Sequence, residues 1–378
     1  FALILMMEGL RKSAGKIIAG LVWVLIAYAF FGDALPPPID AEVFPPAKIV
    51  LYLYSDNNGV PGIVLQVVVD LVLAFIIFGK LMEVSGGTAF LTDLAMGWMG
   101  DRRGGPAKVA VVASSAFGTI SGSTVGNIMS TGIVTIPLMK KTGFKPEHAG
   151  AIEAVASNGG QIAPPVMGAT AFIIAEFLEI PYQEVVIAAA IPALIYYVVL
   201  FLQVDAIARR YGLQGLAKSE LPRVAKVLKS GWIFAFPLII LMYFLFWLGY
   251  PPGLAALYSA GSLIVLMILR DRRFPGIEHW KNFIFGSGEI LIPLLLIAGA
   301  AGIILGVMNS TGLAFQLSLI LTALGEHYGT LAMLLLTALI CIILGMGMPT
   351  ATVYIVLVSV IGPALVKMGL VPLGAHLF

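Results

Sequence analysis

The sequence predicts an all-α integral membrane protein with inverted repeats, two re-entrant helical hairpins and broken helices. Three observations predict it. The first is composition: of 378 residues, 60% are hydrophobic and 11% are charged. A soluble domain carries about 25% charged residues. This chain could not cover its own surface with polar groups, so lipid is its expected solvent. The second observation is a series of apolar runs of bilayer length. The third is a constant offset between two regions that hold Gly, Pro, Ser and Thr at membrane depth.

The apolar runs cover 15–32, 62–82, 184–204, 231–249, 254–270 and 290–308. Four shorter or interrupted runs sit among them, at 107–139, 146–178, 331–368 and 372–378. A lone cysteine, Cys341, lies inside an apolar run, so it is read as packing and no internal disulfide is expected. The chain begins at Phe1 with no signal peptide ahead of it and is read as a piece of a longer protein. The net charge of +2 points to no class of partner, and no nucleic-acid partner is expected.

Lys and Arg set the orientation, because they accumulate on the cytoplasmic side. With Arg11, Lys12 and Lys16 inside, 33–61 falls outside with Asp33, Asp40, Glu42 and Asp56 against Lys48. The span 62–82 returns inward and delivers Lys80, Arg102, Arg103 and Lys108. If 107–139 enters and leaves on one side, Lys140, Lys141 and Lys145 are also inside. The broken span 146–178 then leads out to Glu176, Glu179 and Glu184. The loop 205–230 lies inside with Arg209, Arg210, Lys218, Arg223, Lys226 and Lys229, followed by Arg270, Arg272, Arg273 and Lys281. Only Lys48 and Lys367 remain outside. A hairpin that crossed would flip the parity of everything after it, so the charge pattern argues for re-entry.

An offset of 226 residues relates Met82 to Met308, Gly86 to Gly312 and Thr124 to Thr350. It also relates Pro137, Lys141, Gly143, Pro146 and Ala149 to Pro363, Lys367, Gly369, Pro372 and Ala375. On the threading above the two copies enter from opposite sides. Inverted repeats of this kind build secondary transporters, because two inverted halves can form an alternating pathway. An amphipathic stretch precedes each hairpin, at 88–100 and 313–324. Each reads either as an interfacial helix or as the frayed end of a span.

The first hairpin turns within Gly118–Asn127. Its three glycines free the backbone, and lipid cannot satisfy the amides and carbonyls so released. The turn must therefore be buried in protein or line a wet cavity. Ser121, Ser123, Thr124 and Asn127 offer oxygens there. A half-helix starting near Ser123 suits a carboxylate, and the carbonyls of the arm before it suit a small cation. The second element is Glu153–Pro165. Asn158-Gly159-Gly160 breaks a helix, and Pro165 can start the next. Ser157, Asn158, Gly159, Gln161 and Pro164 would share the volume at the hairpin tip. In the second copy, Gly345, Gly347, Pro349, Thr350 and Thr352 repeat the pattern. Glu153 is an intramembrane acid and a candidate for ion coupling or for bracing the site. Asp70 reads as an interhelical hydrogen-bond partner, and His148 as interfacial. His279, His327 and His376 show no metal-ligand spacing. No phosphate loop, nucleophilic triad or nucleotide fingerprint appears, so no enzyme activity and no cofactor are expected.

The segments RRGGPAKVAVVASSAFGTISGSTVGNIMSTGIVTIPLMKKTGF (102–144), EAVASNGGQIAPPVMGATAF (153–172) and LGMGMPTATVYIVLVSVIGPALVKMG (344–369) resemble a known family. It is the large membrane subunit of tripartite ATP-independent periplasmic (TRAP) transporters, in the fused-permease branch that works with TAXI-type binding proteins. The resemblance implies an ion-transporter-like fold of elevator type in a bacterial or archaeal inner membrane. It implies import of a small organic anion, such as a dicarboxylate or a glutamate-like compound, delivered by a periplasmic TAXI-type binding protein. A small membrane subunit, fused or separate, and membrane lipid are the other implied partners. It implies coupling to sodium ions, with a proton as the alternative. By carry-over, substrate meets Ser121, Ser123, Thr124, Asn127, Ser157, Asn158, Gly159, Gln161, Pro164 and Thr350. Coupling cations meet Ser123, Asn127, Ser157, Asn158 and Gly159, and at a second position Gly345, Gly347, Thr350 and Thr352. The chain then divides into 1–61, the end of a joined region with the first span; 62–204, the first repeat; 205–288, a loop and scaffold spans; and 289–378, the second repeat, which stops before its unwound helix. A channel with re-entrant hairpins is the alternative reading.

Overall fold

The computed structural model describes residues 1–37, 39–41, 44–272, 275–345 and 350–378. Glu42, Arg273, Gly347 and Pro349, used above, lie outside the described residues. In chain order the helices begin with α1 (Ala2–Ser13), α2 (Lys16–Phe31), α3 (Pro46–Ser55), α4 (Ile63–Val67), α5 (Leu73–Val84) and α6 (Gly87–Met99). Next come α7 (Gly105–Ser121), α8 (Thr124–Lys141), α9 (Pro146–Asn158), α10 (Ala169–Phe177), α11 (Tyr182–Arg210), α12 (Val224–Met242) and α13 (Pro252–Asp271). The last are α14 (Ile277–Ser310), α15 (Leu313–Tyr328), α16 (Thr330–Gly345), α17 (Thr350–Val360), α18 (Gly362–Lys367) and α19 (Pro372–Leu377). Among the described residues there is no strand.

Among the described residues, six helical stretches are long and apolar enough to cross a membrane: Lys16–Ala34, Ile63–Val84, Tyr182–Arg210, Lys218–Trp247, Pro252–Asp271 and Ile277–Ser310. Each falls on one of the six expected runs. The ends differ because polar flanks continue the helix. At 1.5 Å per residue, the 34 residues of α14 reach about 51 Å, well beyond a hydrocarbon core of roughly 30 Å. Its polar start, which includes Glu278, Lys281 and Glu289, accounts for the excess.

The chain forms two compact units. One comprises Phe1–Asp70, Glu176–Glu179 and Leu291–Phe378; the other comprises Leu71–Ala175 and Ile180–Ile290. The first gathers Leu10, Ile18, Val22, Ile49, Leu53, Ile303, Ile304 and Val307 into one apolar core. The second packs Ala107, Ala110, Met139, Ala149, Ile152, Ala156, Val204 and Ala208 together around α7. Five alanines in this core let the helices approach closely. In lipid, apolar association is weakly driven because the tails are as apolar as leucine, so close approach and hydrogen bonds hold helices together.

Four expectations need correction. The segment 33–61, read as a loop, contains α3: Pro46 starts it, and Ile49 and Leu53 are buried in the core. The outgoing arm of the second hairpin does not run unbroken to 368; it stops at Val360, and Gly362-Pro363 opens the separate α18. Pro165 does not start the helix after the break. Pro164–Pro165 is a cis peptide, and α10 begins only at Ala169. Asp70 is exposed within a π-helical turn, Val68–Val72, and makes no interhelical hydrogen bond among the described residues. The stretches at 88–100 and 313–324 are the separate helices α6 and α15.

Candidate functional site

The first hairpin is α7 and α8 joined by Gly122 and Ser123. Gly122 adopts φ 57, the left-handed region that glycine enters without strain. A Cβ there would overlap the carbonyl oxygen of Met167. Ser123 is the N-cap of α8, its Oγ accepting from the Gly126 amide at 3.2 Å. Of the three glycines in the motif, only Gly122 serves the turn. Gly118 stays helical and serves close approach: a Cβ on it would stand 2.6 Å from the Gly160 Cα.

Gly160 belongs to the second element. Pro146 at the start and Glu147 in the first turn favour α9. It runs to Asn158 and tightens into a 3-10 turn, Gly159–Gln161. The chain then leaves the helix until Ala169. The last carbonyls of a helix lack intrahelical partners. Here Tyr196 Oη donates to the Val155 carbonyl at 2.7 Å, and Tyr197 Oη donates to the Ala156 carbonyl at 3.2 Å. The two rings occupy the space a side chain at 159 would need, with a Gly159 Cβ 2.5 Å from Tyr196 Cε1. The unwound stretch is tied to the hairpin by the Val166 amide, which donates to the Thr119 carbonyl at 3.2 Å. Tyr182 Oη donates to the carbonyls of Pro165 and Val166.

The two elements meet through side chains at the tip. Thr124 Oγ1 donates to Asn158 Oδ1 at 3.2 Å and accepts from Gln161 Nε2 at 2.9 Å. Thr124, Asn158 and Gln161, singled out from sequence, are thus brought together. Asn158 is exposed, and Thr124, Gln161 and Pro164 are partly exposed. Ser121 Oγ, at the end of α7, is buried with no hydrogen-bond partner among the described residues.

Asn127 and Ser157 lie deeper than expected. Both are fully buried. Asn127 Nδ2 donates to the Ser114 carbonyl at 2.8 Å, joining the two arms of the hairpin. Below it lies Glu153, also fully buried, whose oxygens accept from Ser114 Oγ at 3.1 Å, Thr131 Oγ1 at 2.6 Å and Ser157 Oγ at 3.3 Å. Thr135 Oγ1 completes the set. Ser114, Thr131 and Thr135 were not anticipated. The signal was the spacing of Asn127, Thr131 and Thr135, which puts three polar side chains on one face of α8.

In the second copy, Gly345 ends α16 and Thr350 starts α17, with Gly347 outside the described residues. Thr352 is fully buried and its hydroxyl has no partner among the described residues. Tyr354 Oη and His376 Nδ1 are 2.6 Å apart beside Thr350 and Cys341, so His376 has a neighbour that its sequence surroundings did not suggest. His148 is half-buried and packs against the Tyr211 ring, 5.6 Å between centroids.

Known proteins decide the family. The description "Tripartite ATP-independent periplasmic transporter, DctM component" matches residues 1–378. The chain belongs to this family. It is similar to the C4-dicarboxylate TRAP transporter large permease protein DctM of Pseudomonas aeruginosa, 24% identical over 304 residues, covering 79% of this chain and 69% of that protein. It is also similar to the 2,3-diketo-L-gulonate TRAP transporter large permease protein YiaN of Escherichia coli, 23% identical over 302 residues, with 79% and 69% covered. A third relative is the sialic acid TRAP transporter permease protein SiaT of Haemophilus influenzae, 24% identical over 261 residues, with 67% and 41% covered. As a TRAP large membrane subunit, the chain is a multi-pass protein of the inner membrane.

Proposed function

We propose that this TRAP subunit imports a small organic anion by secondary active transport, with substrate and coupling cation meeting at the tip of the α7–α8 hairpin. The observation that carries this reading is the joint of two broken elements: Thr124, at the start of α8, bonded to both Asn158 and Gln161 at the end of α9. The N-terminus of α8 presents first-turn amides and a partial positive charge, which favour a carboxylate. The C-termini of α7 and α9 present carbonyls and partial negative charge, which favour a cation. Ser121, Ser123, Thr124, Asn158, Gly159, Gln161 and Pro164 serve the substrate side. Ser123, Asn127, Ser157, Asn158 and Gly159 serve the cation side. Gly345, Thr350 and Thr352, in the other unit, serve a second cation.

The relatives named for C4-dicarboxylates, diketogulonate and sialic acid transport carboxylates, which agrees with an anion at the α8 terminus. Substrate arrives on a periplasmic binding protein of the TAXI type, and a small membrane subunit, fused or separate, completes the transporter. Sodium drives uptake, with a proton as the alternative, and the hairpins and broken helices form the moving part of an elevator. The test is uptake of a labelled dicarboxylate into vesicles holding the transporter and its binding protein. Accumulation is expected under an inward sodium gradient and none with all gradients collapsed. Accumulation that survives collapse overturns the reading.

A further inference from the structure

We infer that the seam between α1 and α2 is a binding site for one anionic phospholipid of the cytoplasmic leaflet. The inference is independent of the substrate and coupling sites proposed above. The two helices form an antiparallel hairpin: Ala14 and Gly15 join them, and Gly15 turns the chain at φ 97. An open trough of about 330 Å³ runs along their seam. Antiparallel pairing sets Arg11 against Lys16 at the turn and Ile4 against Trp23 at the far end, and all four line the trough. The bed between these two pairs is small. Met7 and Ala19 are buried beneath it, and a Cβ on Gly20 would meet nothing within 4 Å.

The trough is charged at one end and apolar at the other, as its occupant must be. Glu8, the only carboxylate lining it, is taken by Arg11 at 2.6 Å and Lys12 at 3.4 Å. Lys16 has no ion-pair partner among the described residues. Three cations face one carboxylate at the turn, so positive charge is left for a phosphodiester, which lysine and arginine both bind. Seven residues separate Lys16 from Trp23 on α2, about 10 Å along the axis. That is the depth over which a headgroup gives way to acyl chain. Trp23, 48% exposed, offers its ring to the chain at that depth. The distribution of Lys and Arg puts Arg11, Lys12 and Lys16 in the cytoplasm, beside the leaflet that carries anionic lipid. A zwitterionic lipid brings its own cation to the same turn and is the weaker ligand.

The test is photo-crosslinking in phosphatidylcholine vesicles that hold the transporter together with its small membrane subunit. The probe is phosphatidylglycerol with a diazirine on its acyl chain, compared with phosphatidylcholine carrying the same group. Adducts are counted by peptide mapping on 4–23, with adducts on α13 as the internal reference. One basic charge near the membrane surface corresponds to about fivefold in lipid affinity. Wild type is therefore expected to give at least about fivefold more phosphatidylglycerol than phosphatidylcholine adduct on 4–23. Lys16→Gln is expected to bring the two probes within about twofold of each other. Gly20→Leu fills the trough and is expected to lower the phosphatidylglycerol adduct at least about fivefold, whereas Gly20→Ala, too small to fill it, keeps the adduct. Should Gly20→Leu fail to fold, Lys16→Gln decides. Equal adducts of the two probes in wild type, or an unchanged preference in Lys16→Gln, overturns the inference. No adduct on 4–23 beside normal labelling of α13 gives the trough to the small subunit and overturns it too. Displacement of the adduct by millimolar inorganic phosphate would make the turn a general anion site, with the same consequence.

Discussion

Asn127 and Asn158 both offer a side-chain oxygen in the sequence, and the structure uses them differently. Asn127 is fully buried between the hairpin arms, holding the Ser114 carbonyl. Asn158 is exposed at the tip, accepting from Thr124. Asn127→Ala removes this buried bridge between the arms and is expected to lower stability by about 1 kcal/mol, read as earlier thermal unfolding in detergent. An unchanged unfolding temperature would count against the bridge. The difference was not legible in the sequence, because helical phase places a residue on a face but does not say which face the partner helix covers. Glu153 was legible as an anomaly, since an acid in an apolar stretch stands out. Its shell was only half legible: Ser157 was singled out, whereas Ser114, Thr131 and Thr135 read as ordinary small polar residues of a packed helix.

Among the elements, the turn at Gly122 and the approach of Gly118 to Gly160 position the site. Gly122→Ala meets both an unfavourable φ and the Met167 carbonyl. The left-handed conformation alone costs an alanine roughly 1–2 kcal/mol. Gly118→Ala pushes against the Gly160 backbone, which has no flexible end to move aside, and overpacking of this kind costs about 1–3 kcal/mol. Both variants are expected to unfold at lower temperature, and Gly118→Ala is expected to lose uptake as well, because it parts the hairpin from the unwound helix. Full uptake in Gly118→Ala would show that the contact is dispensable. Helix breaks at Gly122 and at Gly159 were readable from Gly and Asn. The long non-helical stretch from Ile162 to Gly168 was not, since Pro165 is equally suited to starting a helix. What holds that stretch open is tertiary: the Thr119 carbonyl and the Tyr182 hydroxyl.

Across the whole molecule, the six spans were visible in composition and run length, because bilayer thickness leaves little choice of length. The short helix Pro46–Ser55 was hidden by its polar, proline-rich surroundings. The re-entrant nature of the first hairpin rests on charge, with Lys140, Lys141 and Lys145 placed on the same side as Arg209 to Lys229. In a background with Cys341 replaced by Ser, single cysteines at Thr142 and Ser219 are expected to react with an impermeant thiol reagent from the cytoplasmic side only. Reaction of the two from opposite sides would make the hairpin a crossing.

The central claim is that the hairpin tip and the end of α9 form the transport site. Uptake by Asn158→Ala, at protein levels and unfolding temperature matched to wild type, tests it most directly. The expected result is a loss of at least about tenfold, the scale of one lost polar contact to a bound ligand. Wild-type uptake in that variant would place the site elsewhere.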